Sequence, residues 1–248
     1  MVVKTITTYP CQQRAYKAAQ RNRSKELLYM ITDISLAHYS RTEEIANWIT
    51  HAVALLLSIA ALVLMVVYST HYGDAYHVVS SAIYGTTLIL LYSASTFYHL
   101  IPVSRAKDVF QKLDHAMICL LIAGTYTPYT LVNLRGPWGW SIFGIVWGVA
   151  LTGLLLEVIM SKRLGWLSVS LYLFLGWLMV IAVKPLMANL AGGGIVLLVA
   201  GGLFYSLGVI FYLWKKLPFQ HAIWHLFVIA GSLCHFFSIF IYVLPASW

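Results

Sequence analysis

His221 and His225 stand four residues apart in the segment His221-Ala222-Ile223-Trp224-His225, a spacing that stacks two imidazoles on one face of a helix. His99 closes a second apolar stretch, with Ser95 one turn before it, and Asp114 follows in a third. Three imidazoles and a carboxylate in apolar surroundings point to zinc, for which imidazole nitrogen is a natural ligand. Three protein nitrogens with an open fourth position is the catalytic zinc arrangement, in which a bound water becomes more acidic. On this reading His99, His221 and His225 are the metal ligands. Asp114 is catalytic, as general base or as a group orienting the water, with Ser95 beside it polarising the developing oxyanion. The same residues equally suit a metal-free proton relay or hydrogen-bond network inside a membrane.

These groups act together only if the elements carrying them bring them to one place. The chain has 248 residues, 60% of them hydrophobic and only 10% charged, against about 25% charged in a soluble domain. That balance excludes a water-facing globular domain and a disordered chain alike. Three cysteines, Cys11, Cys119 and Cys234, are too few and too scattered for a disulfide framework or a cysteine zinc site. Seven apolar runs are long enough to cross a bilayer, roughly 45–69, 76–99, 109–132, 138–158, 167–183, 192–213 and 222–244. No short alternating segments of the barrel type are present, so the expected fold is an all-α, seven-transmembrane-helix bundle.

The basic residues orient it. Of the 16 Lys and Arg, all but Arg135 and Lys184 precede the first run or fall beside the connections that alternate with it on the same side. The positive-inside rule then puts the N-terminus in the cytoplasm and, after seven spans, the C-terminus outside. The formal charge of +8 is thereby accounted for by topology, and nucleic acid is not an expected partner. The expected location is a bacterial inner membrane, multi-pass, with membrane lipid as substrate or ligand. Residues 1–40 read as a basic cytoplasmic tail, expected to be disordered, with Met30 as a candidate true start; residues 41–248 form the membrane domain.

Given that topology, His99, Ser95, Asp114, His221 and His225 all fall at one depth, just inside the cytoplasmic leaflet. Because the topology comes from Lys and Arg alone, the coincidence is an independent result. His51, with Asn47 one turn before it, is expected to make a polar contact within the bundle. His115 is expected to be structural, Glu157 to be solvated near Lys162 and Arg163, and His235 to lie about 20 Å along its helix from His221. Tyr126, Thr127 and Tyr129 either line a cavity or pack. Pro128 is expected to bend its helix. Two small-residue stripes, Gly144-Gly148-Thr152 and Gly202-Ser206, are expected to pack inside the bundle.

The segments Ser95-Thr96-Phe97-Tyr98-His99, Asp114-His115 and His221-Ala222-Ile223-Trp224-His225 resemble the three signatures of the hemolysin III and progestin/adiponectin receptor family. Glu43-Glu44-Ile45-Ala46-Asn47 and Ala123-Gly124-Thr125-Tyr126-Thr127-Pro128 are similar to its bacterial hemolysin III branch. The resemblance implies seven helices, a cytoplasmic N-terminus and zinc held by His99, His221 and His225, with Asp114 contacting the metal's water and Ser95 nearby. It also implies several functions without choosing among them: ceramidase-like hydrolysis of lipid amides, receptor signalling, cytolysis and lipid homeostasis. A zinc-dependent lipid hydrolase is therefore the first expectation. A regulator or sensor of membrane lipid state with structural zinc is the second, and a pore-forming cytolysin the third.

Overall fold

The computed structural model describes residue 20 and residues 39–245, apart from the side chains of residues 161–164. Most of the basic tail, including Met30, lies outside the described residues. Among the described residues, seven helices are long and apolar enough to span a membrane: α1 (Arg41–Tyr72), α2 (Ala75–Leu100), α3 (Arg105–Asn133), α4 (Pro137–Leu164), α5 (Trp166–Asn189), α6 (Gly192–Leu213) and α7 (Gln220–Val243). Among the described residues there is no strand. The protein is a multi-pass membrane protein built as a seven-helix bundle. Large apolar side chains such as Leu56, Val63, Ile145 and Val196 remain exposed around it, as a surface solvated by lipid tails requires.

The helices begin and end further out than the apolar runs. Helix α1 starts at Arg41, and its first turn carries Glu43 and Glu44. Helix α3 starts at Arg105, where the Ser104 hydroxyl caps the backbone N–H of Lys107 at 3.3 Å. These polar turns carry no hydropathy signal, yet two of them reach the site described below. On the opposite face Asp74 caps α2, accepting from the N–H groups of Tyr76 and His77, and pairs with Arg135 at 2.7 Å. That pair ties the α1–α2 connection to the α3–α4 connection.

Helix α3 is the most enclosed of the seven. Pro128 lacks an N–H and crowds the preceding turn, and the chain widens into a π-helical turn over Tyr129–Asn133. Hydroxyls satisfy the local carbonyls: Thr127 donates to Ala123, and Thr130 to Tyr126. Helix α5 is interrupted by a 3₁₀ stretch, Leu178–Ala182. The Tyr126 hydroxyl staples that break, accepting from the Met179 N–H at 2.7 Å and donating to the carbonyls of Leu175 and Gly176 at 2.9 Å.

Two expectations are corrected. Gly144, Gly148 and Thr152 face outward, and a Cβ on either glycine would meet nothing within 4 Å. The buried face of α4 is instead Ile142, Val146, Ala150, Gly153 and Glu157; small-residue spacing marks a face without saying which way it turns. Glu157 belongs to that buried face and is only 1% exposed. It is not solvated: its Oε1 accepts from the Tyr172 hydroxyl at 2.7 Å. The second stripe packs as expected, with the Trp177 indole 3.6 Å from where a Cβ on Gly202 would sit and its Nε1 donating to Ser206 at 2.9 Å.

Candidate metal centre

His99, from the last turn of α2, meets His221 and His225, from the first turns of α7, and all three are buried. Nε2 of His99 and Nε2 of His221 are 3.1 Å apart. One ligand nitrogen from each of the three rings lies within 4.8 Å of the others, so the group could hold a metal ion. Two nitrogens bound at 2.0–2.1 Å to a tetrahedral ion would sit about 3.3 Å apart, close to the separation seen for His99 and His221.

The outer nitrogens are held by α1. Nδ1 of His99 lies 2.6 Å from Oε2 of Glu44, and Oε1 of Glu44 accepts from Nζ of Lys107 at 2.8 Å. Nδ1 of His225 faces the Asn47 carbonyl at 3.2 Å and the Thr50 hydroxyl at 3.1 Å. With Nδ1 occupied on both rings, Nε2 is the nitrogen directed inward, the usual orientation of a histidine whose far side is fixed by a carboxylate or carbonyl. One residue earlier, Glu43 accepts from the Phe219 N–H at 3.0 Å, where Phe219 takes a left-handed conformation (φ 55°) just before α7. Helix α1 thus holds both ligand-bearing helices at the ends that carry the histidines, although it supplies none of the three.

Asp114 is buried on α3, and its carboxylate has His99 and Ser95 as polar neighbours. It lines a cavity of about 430 Å³ together with His221 and His225. Apart from the polar groups at this end, the lining is largely Leu, Ile, Val and aromatic side chains from α3, α5, α6 and α7. Ser95 is fully buried. Asp114, His221 and His225 thus line the cavity, while His99 and Ser95 lie beside them without forming part of its wall.

Sequence reasoning gave Glu44 and Thr50 no role, and it placed His51 in a contact within the bundle without naming its partner. His51 stacks on His225, with ring centroids 3.5 Å apart and planes 14° from parallel, and meets Tyr92 edge-on at 5.0 Å. It forms part of the cavity wall, and neither of its ring nitrogens has a hydrogen-bond partner in the protein. The signal was available: Glu44, Asn47 and His51 repeat at three and four residues within an apolar helix, which defines one polar face. His115 also lines the cavity, while its carbonyl accepts from Tyr172 at 3.1 Å.

Residues 39–236 match the sequence family described as haemolysin-III related. The chain belongs to this family. Among its members, the Hemolysin-3 homolog of Bacillus subtilis (strain 168) is 50% identical over 200 residues, covering 81% of this chain and 94% of that protein. Hemolysin-3 of Bacillus cereus is 47% identical over 205 residues, covering 83% and 94%. The human monocyte to macrophage differentiation factor is 28% identical over 207 residues, covering 81% of this chain and 84% of that protein. The matched segment contains the three histidines, Asp114 and the polar face of α1.

Proposed function

We propose that this protein is a zinc-dependent intramembrane hydrolase acting on an amide or ester bond of a membrane lipid. The observation that carries the proposal is the convergence of His99, His221 and His225 beside an apolar cavity whose wall includes His221, His225 and Asp114. His99, His221 and His225 would hold the metal, which when bound supplies Lewis-acid polarisation and an acidified water. Asp114, one helix away, accepts a proton or a hydrogen bond at its carboxylate. Ser95, the polar neighbour of Asp114, would donate its hydroxyl proton to a developing oxyanion. Glu44 and the Asn47 carbonyl hold the ligand rings in one tautomer and orientation. The apolar lining accepts acyl chain and keeps bulk water from the reacting bond.

The distribution of Lys and Arg supports a cytoplasmic N-terminus in a bacterial plasma membrane, which puts the histidine cluster at the inner leaflet. Full-length protein purified in detergent is expected to carry about one zinc per chain, and a triple variant with alanine at 99, 221 and 225 none. Metal-loaded protein is then incubated with acyl-amide and acyl-ester lipids. Turnover no higher than that of Asp114→Ala would remove the enzymatic part of the proposal.

A second reading is favoured by the way the cluster joins α1, α2 and α7: the zinc is structural and the protein regulates or senses membrane lipid. It predicts that His225→Ala lowers thermal stability strongly, while Asp114→Ala leaves the biological role intact.

A further inference from the structure

The cavity has a second polar end. His235 lies fourteen residues after His221 on α7, about 21 Å further along the helix axis, and is part of the same cavity lining. It is 5% exposed, and its Nδ1 is buried without a hydrogen-bond partner in the protein. A buried imidazole left in that state costs free energy unless something hydrogen-bonds it. The ring is held in place: a Cβ on Gly201 would sit 2.6 Å from its Nε2, and Tyr205 lies against it with centroids 5.4 Å apart. Tyr205 also lines the cavity, with its hydroxyl 2.9 Å from Ser232 Oγ, which Tyr92 also reaches at 2.7 Å. A polar pair thus belongs to the wall of a largely apolar chamber, at the other end of α7 from His221.

We propose that His235 and Tyr205 form a second binding site that recognises a hydroxyl or carbonyl near the far end of an acyl chain. The chemical class is an amphiphile with two polar ends, one at the histidine cluster and one at His235. An extended chain advances about 1.2 Å per bond, so 21 Å corresponds to roughly seventeen bonds. A sixteen-carbon chain with a terminal hydroxyl fits. The inference rests on the histidine cluster receiving the polar head, as in the function proposed above, but not on hydrolysis.

The test is displacement of cis-parinaric acid from full-length purified protein, with zinc measured on the same samples. 16-Hydroxyhexadecanoic acid is expected to bind five- to tenfold more tightly than hexadecanoic acid or 2-hydroxyhexadecanoic acid, the effect of one buried hydrogen bond. His235→Phe should abolish that ratio and His235→Gln should retain it. Equal affinities in the wild type, or an unchanged ratio in His235→Phe, would overturn the inference; the wild-type comparison decides it even where a variant does not fold. If the preference holds in protein that carries no zinc, the second site stands and the hydrolase reading falls. Zinc without the preference gives the opposite result.

Discussion

Glu44 touches two helices at once: one carboxylate oxygen lies 2.6 Å from Nδ1 of His99 on α2, and the other 2.8 Å from Nζ of Lys107 on α3. A carboxylate on the far nitrogen of a metal-binding imidazole fixes the tautomer and makes the near nitrogen more basic, and losing such a partner costs about 10–100-fold in metal affinity. Glu44→Ala is therefore expected to weaken zinc binding by about that factor, with Glu44→Gln intermediate because the amide keeps one acceptor. Lys107→Met should have a smaller effect. Titration against a chromophoric chelator measures each value, and unchanged affinity in Glu44→Ala would show that the contact does not tune the site.

Glycines on α3 and α4 separate packing from exposure. At Gly124 a Cβ would lie 2.8 and 2.9 Å from Cγ2 and Cβ of Thr87. Thr87 is buried and β-branched, and its hydroxyl donates to the Tyr84 carbonyl at 2.8 Å, so it has no room to yield. Gly124→Ala should destabilise the bundle by roughly 1–3 kcal/mol, the range for overpacking. Gly144→Ala meets nothing and should leave the melting temperature unchanged or slightly raised. Equal shifts for the two would contradict the orientation of α4.

The seven spans and the convergence of His99, Asp114, His221 and His225 were legible because hydropathy and charge placement act over whole helices. What was not legible depended on rotation and on helix ends. Glu157 looked solvated from its nearness in sequence to Lys162 and Arg163, yet the helical register that buries Val146 and Ala150 buries it too. Glu44 lay outside the apolar run that defined the first span, so its reach to His99 left no trace in hydropathy. His51 stacks on His225 across 174 residues of sequence; the Glu44-Asn47-His51 period marks the polar face but not the ring it meets.

The Tyr172 hydroxyl lies 2.7 Å from Glu157 Oε1 and 3.1 Å from the His115 carbonyl, so it joins α4 and α5 to the helix that carries Asp114. Removing it leaves a buried carboxyl group without its partner, at a cost of roughly 1–3 kcal/mol. Tyr172→Phe is expected to lower thermal stability accordingly. Replacing Glu157 by Leu as well should restore part of it, since no acceptor is then left unpaired. A double variant no more stable than Tyr172→Phe would mean that the two groups do not act as a pair.

At the opposite face, Asp74 provides a pH test. Slight burial pushes its pKa up, but hydrogen bonds from the His77 and Arg135 side chains and from the backbone of His77 and Tyr76 outweigh this and hold the carboxyl far below its usual range. The folded pKa therefore lies below the unfolded value of about 3.9. For a depressed carboxylate the stabilisation is fully present above the unfolded pKa and fades as pH falls through it towards the folded one. Wild type should melt above Asp74→Asn at pH 7 by a margin that holds down to about pH 5 and shrinks between roughly pH 4 and pH 2. Arg135→Met should shrink the margin at neutral pH by removing one of the bonds that lower the pKa. Comparing the variants at each pH cancels the titration of the other carboxyls, and a margin that stayed constant down to pH 2 would mean that Asp74 gains nothing from its charge in the folded protein.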